Sequence, residues 1–178
     1  MTECAAENGY TQTTVKHVIQ RAGVSRETFY QQFSSKQDCF FAALDKTATR
    51  LLEAVGKQVT EEPTVGDPFA KVDAFLKSYL EAIVEQPTYA RVFLIEVHAA
   101  GEEAFKRRVA VQRRFADAVA EIAGVQSEQD IFACRTMIGG IGAIVTARLA
   151  AGDIDGIRAM RGQMLDLAKR VLRPPSSD

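Results

Sequence analysis

Apolar residues recur three and four positions apart along almost all of this 178-residue chain, and the interruptions fall at Gly, Pro and Ser/Thr/Asp clusters. That spacing is the stripe of an amphipathic helix, and the interrupting residues are those that cap helices or break them. The alternation that a half-buried strand needs is missing, so the expected fold class is all-α. The run Val92–Val97 (VFLIEV) is short enough to read as a buried strand. A lone strand among helices would leave its edge groups unpaired, and helix is the expectation there too.

A first helix over Thr2–Asn8 ends at Gly9, a residue suited to the left-handed position after a helix. Thr13 is the expected cap of a second helix, whose Val15, Val18, Ile19 and Ala22 share one stripe and which Gly23 stops. Ser25 caps a short third helix carrying Phe29 and Phe33 one turn apart, and Ser35 with Asp38 resembles a capping box opening a fourth, which runs to about Val59. The stretch Thr60–Pro68 (TEEPTVGDP) is the expected linker, closing on a cap residue followed by proline at the first helical position. Further helices are expected over Pro68–Glu85, Pro87–Ala100, Glu102–Ala123, Ser127–Ala151 and Ile154–Leu172, with Arg173–Asp178 as a solvated tail.

The charge balance, 22 Lys+Arg against 23 Asp+Glu, supplies no overall drive toward nucleic acid or an anionic membrane, so any such binding must come from a local arrangement. Cys4, Cys39 and Cys134 are an odd number of cysteines at long spacings with no signal peptide before them, which points to free thiols in a reducing cytoplasm. His17 and His98 are the only histidines, and neither lies near a cysteine. Zinc-finger spacing, paired carboxylates, a nucleophile motif and a phosphate loop are all missing, so neither an enzyme nor a metal or other cofactor is expected. In the apolar segment Ile131–Ala151, Arg135 and Arg148 leave about a dozen uncharged residues between them where a membrane span needs about 20. It reads as a buried helix of a soluble bundle, with no membrane partner.

Function concentrates in Thr13–Phe33 (TTVKHVIQRAGVSRETFYQQF): a helix, a turn at Ala22–Gly23–Val24, then a short helix with a polar, partly basic face. This is helix-turn-helix grammar. Val15, Val18, Ile19, Val24, Phe29 and Phe33 can form one small core, leaving Arg26, Glu27, Thr28, Tyr30, Gln31 and Gln32 free to meet DNA. A second helix used in this way presents its first residues to base edges in the major groove. There Arg26 can pair with guanine, Gln31 with adenine, the Thr28 methyl with thymine, and Glu27 can accept from cytosine. Lys36 opposes the dipole of the helix it opens, a cost of about 0.3–1 kcal/mol that a DNA phosphate at that helix start would offset, helped by the Tyr30 and Thr14 hydroxyls.

The run from Gly9 to Leu44 (GYTQTTVKHVIQRAGVSRETFYQQFSSKQDCFFAAL) resembles the DNA-binding region of TetR-family transcriptional regulators. The resemblance rests on the Gly-Tyr corner, the Thr-Thr start of the second helix, the Ala-Gly-Val-Ser turn, the Thr-Phe-Tyr core of the third and the Phe-Ser-Ser-Lys junction. It implies phosphate contacts at Thr14, Tyr30 and Lys36 and base-facing roles for Arg26, Glu27 and Thr28. Family members often have histidine where this chain has Gln32, which can still donate to a phosphate but carries no charge. The family's first helix usually extends further upstream, and residues 1–36 here hold four Lys/Arg against three Glu.

The resemblance also implies a carboxy-terminal region that binds a small effector and forms a homodimer through its last two helices. Residues 1–45 are thus the expected DNA-binding domain and 46–178 the effector-binding and dimerisation domain. Patterning supports the dimer: Gly139, Gly142, Ala143 and Ala147 permit close approach at a cost in helix propensity, and Met160, Met164, Leu167 and Val171 follow helical spacing on the last helix. Phe75, Tyr79, Phe93, Val97, Phe115, Met137 and Ile141 are the candidate effector-lining residues, with Glu96, His98 and Gln112 as polar groups nearby.

The function expected is a cytoplasmic, sequence-specific regulator, a ligand-responsive homodimeric repressor whose partners are a double-stranded DNA operator and a small-molecule effector. The alternative is a helical small-molecule-binding or interaction protein in which DNA reading is impaired.

Overall fold

The computed structural model describes residues 1–61 and 67–172. Among these the chain forms nine α-helices and one 3₁₀ segment, with no strand. The helices are α1 (Thr2–Asn8), α2 (Val15–Ala22), α3 (Arg26–Gln32), α4 (Lys36–Glu61), α5 (Pro68–Glu85), α6 (Pro87–Leu94), α7 (Glu102–Ile122), α8 (Glu128–Ala150) and α9 (Ile154–Val171), and the 3₁₀ segment is Glu96–Ala100. The expected linker falls largely, and the expected tail wholly, outside the described residues.

Two compact units account for the chain, Met1–Arg50 with Gln86–Arg108 and Leu51–Glu85 with Val109–Asp178. In the first, α1 packs against α6 and α2, and α2 against α3. Its caps are local and legible. Gly23 takes the left-handed conformation (φ 66°) and its N–H closes α2 on the Ile19 carbonyl, while the Ser25 hydroxyl accepts the Thr28 N–H to start α3.

Two local expectations are corrected here. The cap of α2 is Thr14, in a reciprocal box with His17. Thr13 is instead buried, its hydroxyl reaching the Cys4 and Gly9 carbonyls at 3.0 and 2.8 Å, because the chain must tuck under α1 before α2 can begin. At the start of α4, Ser35 accepts the Asp38 N–H as expected, but the Asp38 carboxylate reaches back one residue further, to the Ser34 N–H at 2.9 Å.

In the second unit α9 packs along α5 and α8. α8 is, by length and composition, the one described helix apolar enough to cross a membrane. One face of it, Cys134, Met137, Ile141, Val145 and Leu149, is buried in the bundle. Burial pushes the Cys134 thiol up to about 11 and raises that of Cys39, so at neutral pH both stay protonated.

The α5–α9 pair is fastened by a bidentate ion pair: Arg161 donates from Nε to Asp73 Oδ1 at 2.8 Å and from Nη2 to Oδ2 at 2.6 Å. That fork, with smaller help from Lys169 and Lys77, holds the Asp73 carboxyl below its usual range. A carboxyl depressed by folding stabilises the native state fully above its unfolded value of about 3.9 and loses that contribution as pH falls through the folded value. Asp73→Asn is therefore expected to lower the melting temperature at neutral pH and to flatten the decline of stability below about pH 4. Parallel thermal melts from pH 7 to 3 check this.

Candidate nucleic-acid interface

The amino-terminal helices are built around Cys4, Val18, Phe29 and Cys39, with Met1, Val15, Ile19 and Phe33 packed against them. Of the six expected core residues, Val18 and Phe29 are buried, Val15, Ile19 and Phe33 pack half-buried against them, and Val24, 39% exposed, does not belong to the core. Its N–H is spent on the Ile19 carbonyl, which turns the side chain of this turn residue outward. Cys4 and Cys39 fill the space instead. Arg21, at the end of α2, donates to Glu3 and Glu7 of α1 and clips the two helices together on the outside.

Phe29 is 3% exposed, and every other residue from Arg26 to Gln32 is exposed. One turn of a seven-residue helix is thus pinned by a single buried ring, and Arg26, Glu27, Thr28, Tyr30, Gln31 and Gln32 lie around the remaining circumference. The Tyr30 ring stands edge-on to Phe29 at 5.3 Å, and the Arg26 guanidinium lies 5.5 Å from the Tyr30 centroid. Among the described residues Arg26 has no carboxylate partner. Its stacked guanidinium keeps all its donors available to an acceptor.

Thr14, exposed, accepts the His17 N–H with its hydroxyl oxygen, which leaves the hydroxyl proton to donate. Lys36 meets its unfavourable dipole within the protein: Nζ donates to the Tyr10 carbonyl at 3.0 Å and the Thr11 carbonyl at 3.4 Å, and lies 4.3 Å from the centre of the Tyr10 ring. An ammonium has three donors, so one remains for an outside acceptor.

The expected effector-lining residues separate. Phe75, Tyr79 and Phe115 form an aromatic cluster with centroids 5.8 and 5.7 Å apart, and Met137 and Ile141 are buried on α8 of the same unit. Phe93 and Val97 are buried in the amino-terminal unit. Of the polar neighbours, Glu96 is buried, His98 is exposed beside Phe105, and Gln112 lies over Gly139, where an added Cβ would come within 3.2 Å of its amide nitrogen.

The expected dimer residues also divide. Met160 and Met164 are buried inside their own unit, and Gly139 is taken up by Gln112. Ala143, Ala147 and Leu167 are exposed, and Gly142 and Val171 partly so. Phe132 (71% exposed) and Ile144 (51%), which sequence reasoning missed, extend that outer face of α8. The available signal was that α8 is apolar all round, which a helix with only one buried side does not need.

Comparison with known proteins follows this division. Residues 2–43 match the model of the bacterial regulatory proteins of the tetR family. The chain is 30% identical over 70 residues to the fatty acid metabolism regulator protein of Bacillus subtilis, a match spanning 39% of this chain and 36%, about a third, of that protein. The fold resembles that of the fatty acid degradation regulator FadR from Bacillus halodurans, with a TM-score of 0.81 at 19% identity over 97% of this chain and 95% of that one. It also resembles FadR from Bacillus subtilis in complex with stearoyl-CoA, with a TM-score of 0.77 at 20% identity over 93% and 92% of the two chains. The segment that matches the tetR family model, residues 2–43, is the one that holds α1, α2, α3 and the start of α4, so the likeness to these bacterial regulatory proteins lies in the amino-terminal helices.

Proposed function

We propose that the protein is a cytoplasmic, sequence-specific transcriptional regulator, a homodimeric repressor released from its operator by a small-molecule effector. Residues 1–45 read DNA, and 46–178 take the effector and the second subunit. The observation that carries this reading is the α3 surface: one ring buried, and Arg26, Glu27, Thr28, Tyr30, Gln31 and Gln32 all exposed. In the major groove Arg26, Glu27, Thr28 and Gln31 would face base edges, while Thr14, Tyr30, Gln32 and Lys36 hold phosphates.

Long-chain acyl-CoA is the effector class to examine first. The similarity to a FadR that holds stearoyl-CoA supports it, as does the apolar, aromatic character of Phe75, Tyr79, Phe115, Met137 and Ile141. An effector lowers operator affinity only by binding the off-DNA conformation more tightly, and a tenfold release needs about 1.4 kcal/mol of that difference.

The experiment is selection of bound fragments from the source genome, followed by salt titration of the parent and two variants. Arg26→Ala is expected to relax preference at one position per half-site by about 1–3 kcal/mol. Lys36→Ala is expected to weaken all duplexes alike and to reduce the slope of log K against log salt by about one per subunit. Equal, weak binding to every duplex by the parent would favour the alternative of an interaction protein that no longer reads DNA.

A further inference from the structure

Glu96 is a carboxylate almost fully withdrawn from water, at 7% exposure, and it sits on none of the helix-turn-helix elements. A buried charge persists only where hydrogen bonds and an opposite charge hold it. Its Oε2 accepts the backbone N–H of Tyr10 at 2.8 Å, 86 residues away in sequence, and its Oε1 lies 3.4 Å from the Arg91 guanidinium. Gly9, in the left-handed half of conformational space at φ 77°, brings its backbone so near that an added Cβ would lie 3.5 Å from the same Oε2.

Tyr10 is held on its other side as well. Its carbonyl takes the Lys36 ammonium at 3.0 Å, its ring lies under the same Nζ, and that ring packs on Phe40 at 4.6 Å. Arg91, Glu96, Tyr10 and Lys36 therefore form one continuous series from α6 and the 3₁₀ segment to the first turn of α4, all inside one compact unit.

We infer that Glu96 is a positioning residue for Lys36: by fixing the Tyr10 backbone it sets where the ammonium stands, and so how well that ammonium meets a DNA phosphate. The inference rests on the DNA-reading role proposed above for Lys36. Its sign is opposite to simple electrostatics. A negative charge near a phosphate site repels DNA, so if Glu96 acted only as a charge, removing it would strengthen binding.

The test uses the full chain with Glu96→Gln, which keeps the reach and loses the charge, and Glu96→Asp, which keeps the charge and draws it back by one methylene. Operator affinity is measured by fluorescence anisotropy across salt, and folding is checked by thermal melts. Positioning predicts about a tenfold loss for Glu96→Asp, rescue to within about threefold for Glu96→Gln, and no further loss when Glu96→Asp is added to Lys36→Ala. Tighter binding by Glu96→Gln, or full additivity of Glu96→Asp with Lys36→Ala, overturns the inference.

A readout without DNA separates its failure from that of the functional reading. The rate of amine labelling at Lys36, followed by mass spectrometry, should rise several-fold in Glu96→Asp and stay near the parent rate in Glu96→Gln. An unchanged rate in Glu96→Asp overturns the positioning role even where the parent binds its operator. A raised rate in a protein that binds no operator upholds the positioning of Lys36 and refutes the DNA-reading role.

Discussion

Phe29→Ala is expected to destabilise the amino-terminal helices by about 3–5 kcal/mol, the range found when a buried aromatic ring is deleted from a core. The ring is 3% exposed and touches the small cluster of Cys4, Val18 and Cys39, with Phe33 at 5.5 Å and Tyr30 at 5.3 Å. Phe29 is the one large side chain among the four buried residues of that cluster, and its half-buried neighbours Met1, Ile19 and Phe33 would each have to leave their own packing to fill the cavity. Because Phe29 also fixes the rotation of α3, operator binding should be lost at temperatures where the carboxy-terminal unit is still folded. Denaturant unfolding followed by circular dichroism, beside an anisotropy titration, measures both effects. Phe29→Leu, which refills most of the volume, should recover the larger part of the stability. A Phe29→Ala protein that melts like the parent would mean that the cluster does not hold α3 in place.

The second large effect is expected on assembly. α8 exposes Phe132 and Ile144 on the side that also carries the small Ala143 and Ala147, and α9 exposes Leu167, apolar side chains of the kind that a dimer interface covers. In a two-fold dimer built on this face each substitution enters twice. Ile144→Arg would bury an uncompensated charge at about 3–5 kcal/mol each, so with two copies the dimer should weaken by at least about ten-thousandfold. Sedimentation velocity should show a monomer under conditions in which the parent forms the proposed dimer, with an unchanged melting curve at low concentration because Ile144 faces away from its own core. Operator affinity should fall with it, since two half-sites are then bound independently. A dimer that survives Ile144→Arg would place the interface elsewhere. Met160→Ala would be an uninformative choice, because that methionine packs inside its own unit.

Helices were legible wherever their determinants lie within a few residues of each other. Thr2–Asn8 and Pro68–Glu85 coincide with expectation, and α8 and α9 differ by a residue or two at their ends. The exposed face of α3 was legible for the same reason, since Ser25, Phe29 and Phe33 set its start and its rotation by spacing alone. Where a distant group intervenes, the reading departs. One helix was expected over Pro87–Ala100, yet the α-helix stops at Leu94 and the chain tightens into a 3₁₀ segment. Glu96, the second residue past that break, is turned inward to the Tyr10 N–H, a partner that no local pattern reveals. Lys36 is a similar case: its unfavourable dipole was visible, but the sequence could not say that the Tyr10 carbonyl and ring already answer it.

What the sequence determined by itself is therefore the helical class, the helix-turn-helix and the hydrophilic face of its second helix, all consequences of spacing and capping within one or two turns. Tertiary structure alone decided that Glu96 reaches Tyr10, that Met160 and Met164 turn inward, and that Phe132 and Ile144 turn out. The physical reason is that periodicity records how apolar a face is, whereas burial depends on which other surface is brought against it. Only long-range packing supplies that second surface, and with it the hydrogen bond that makes a buried carboxylate tolerable.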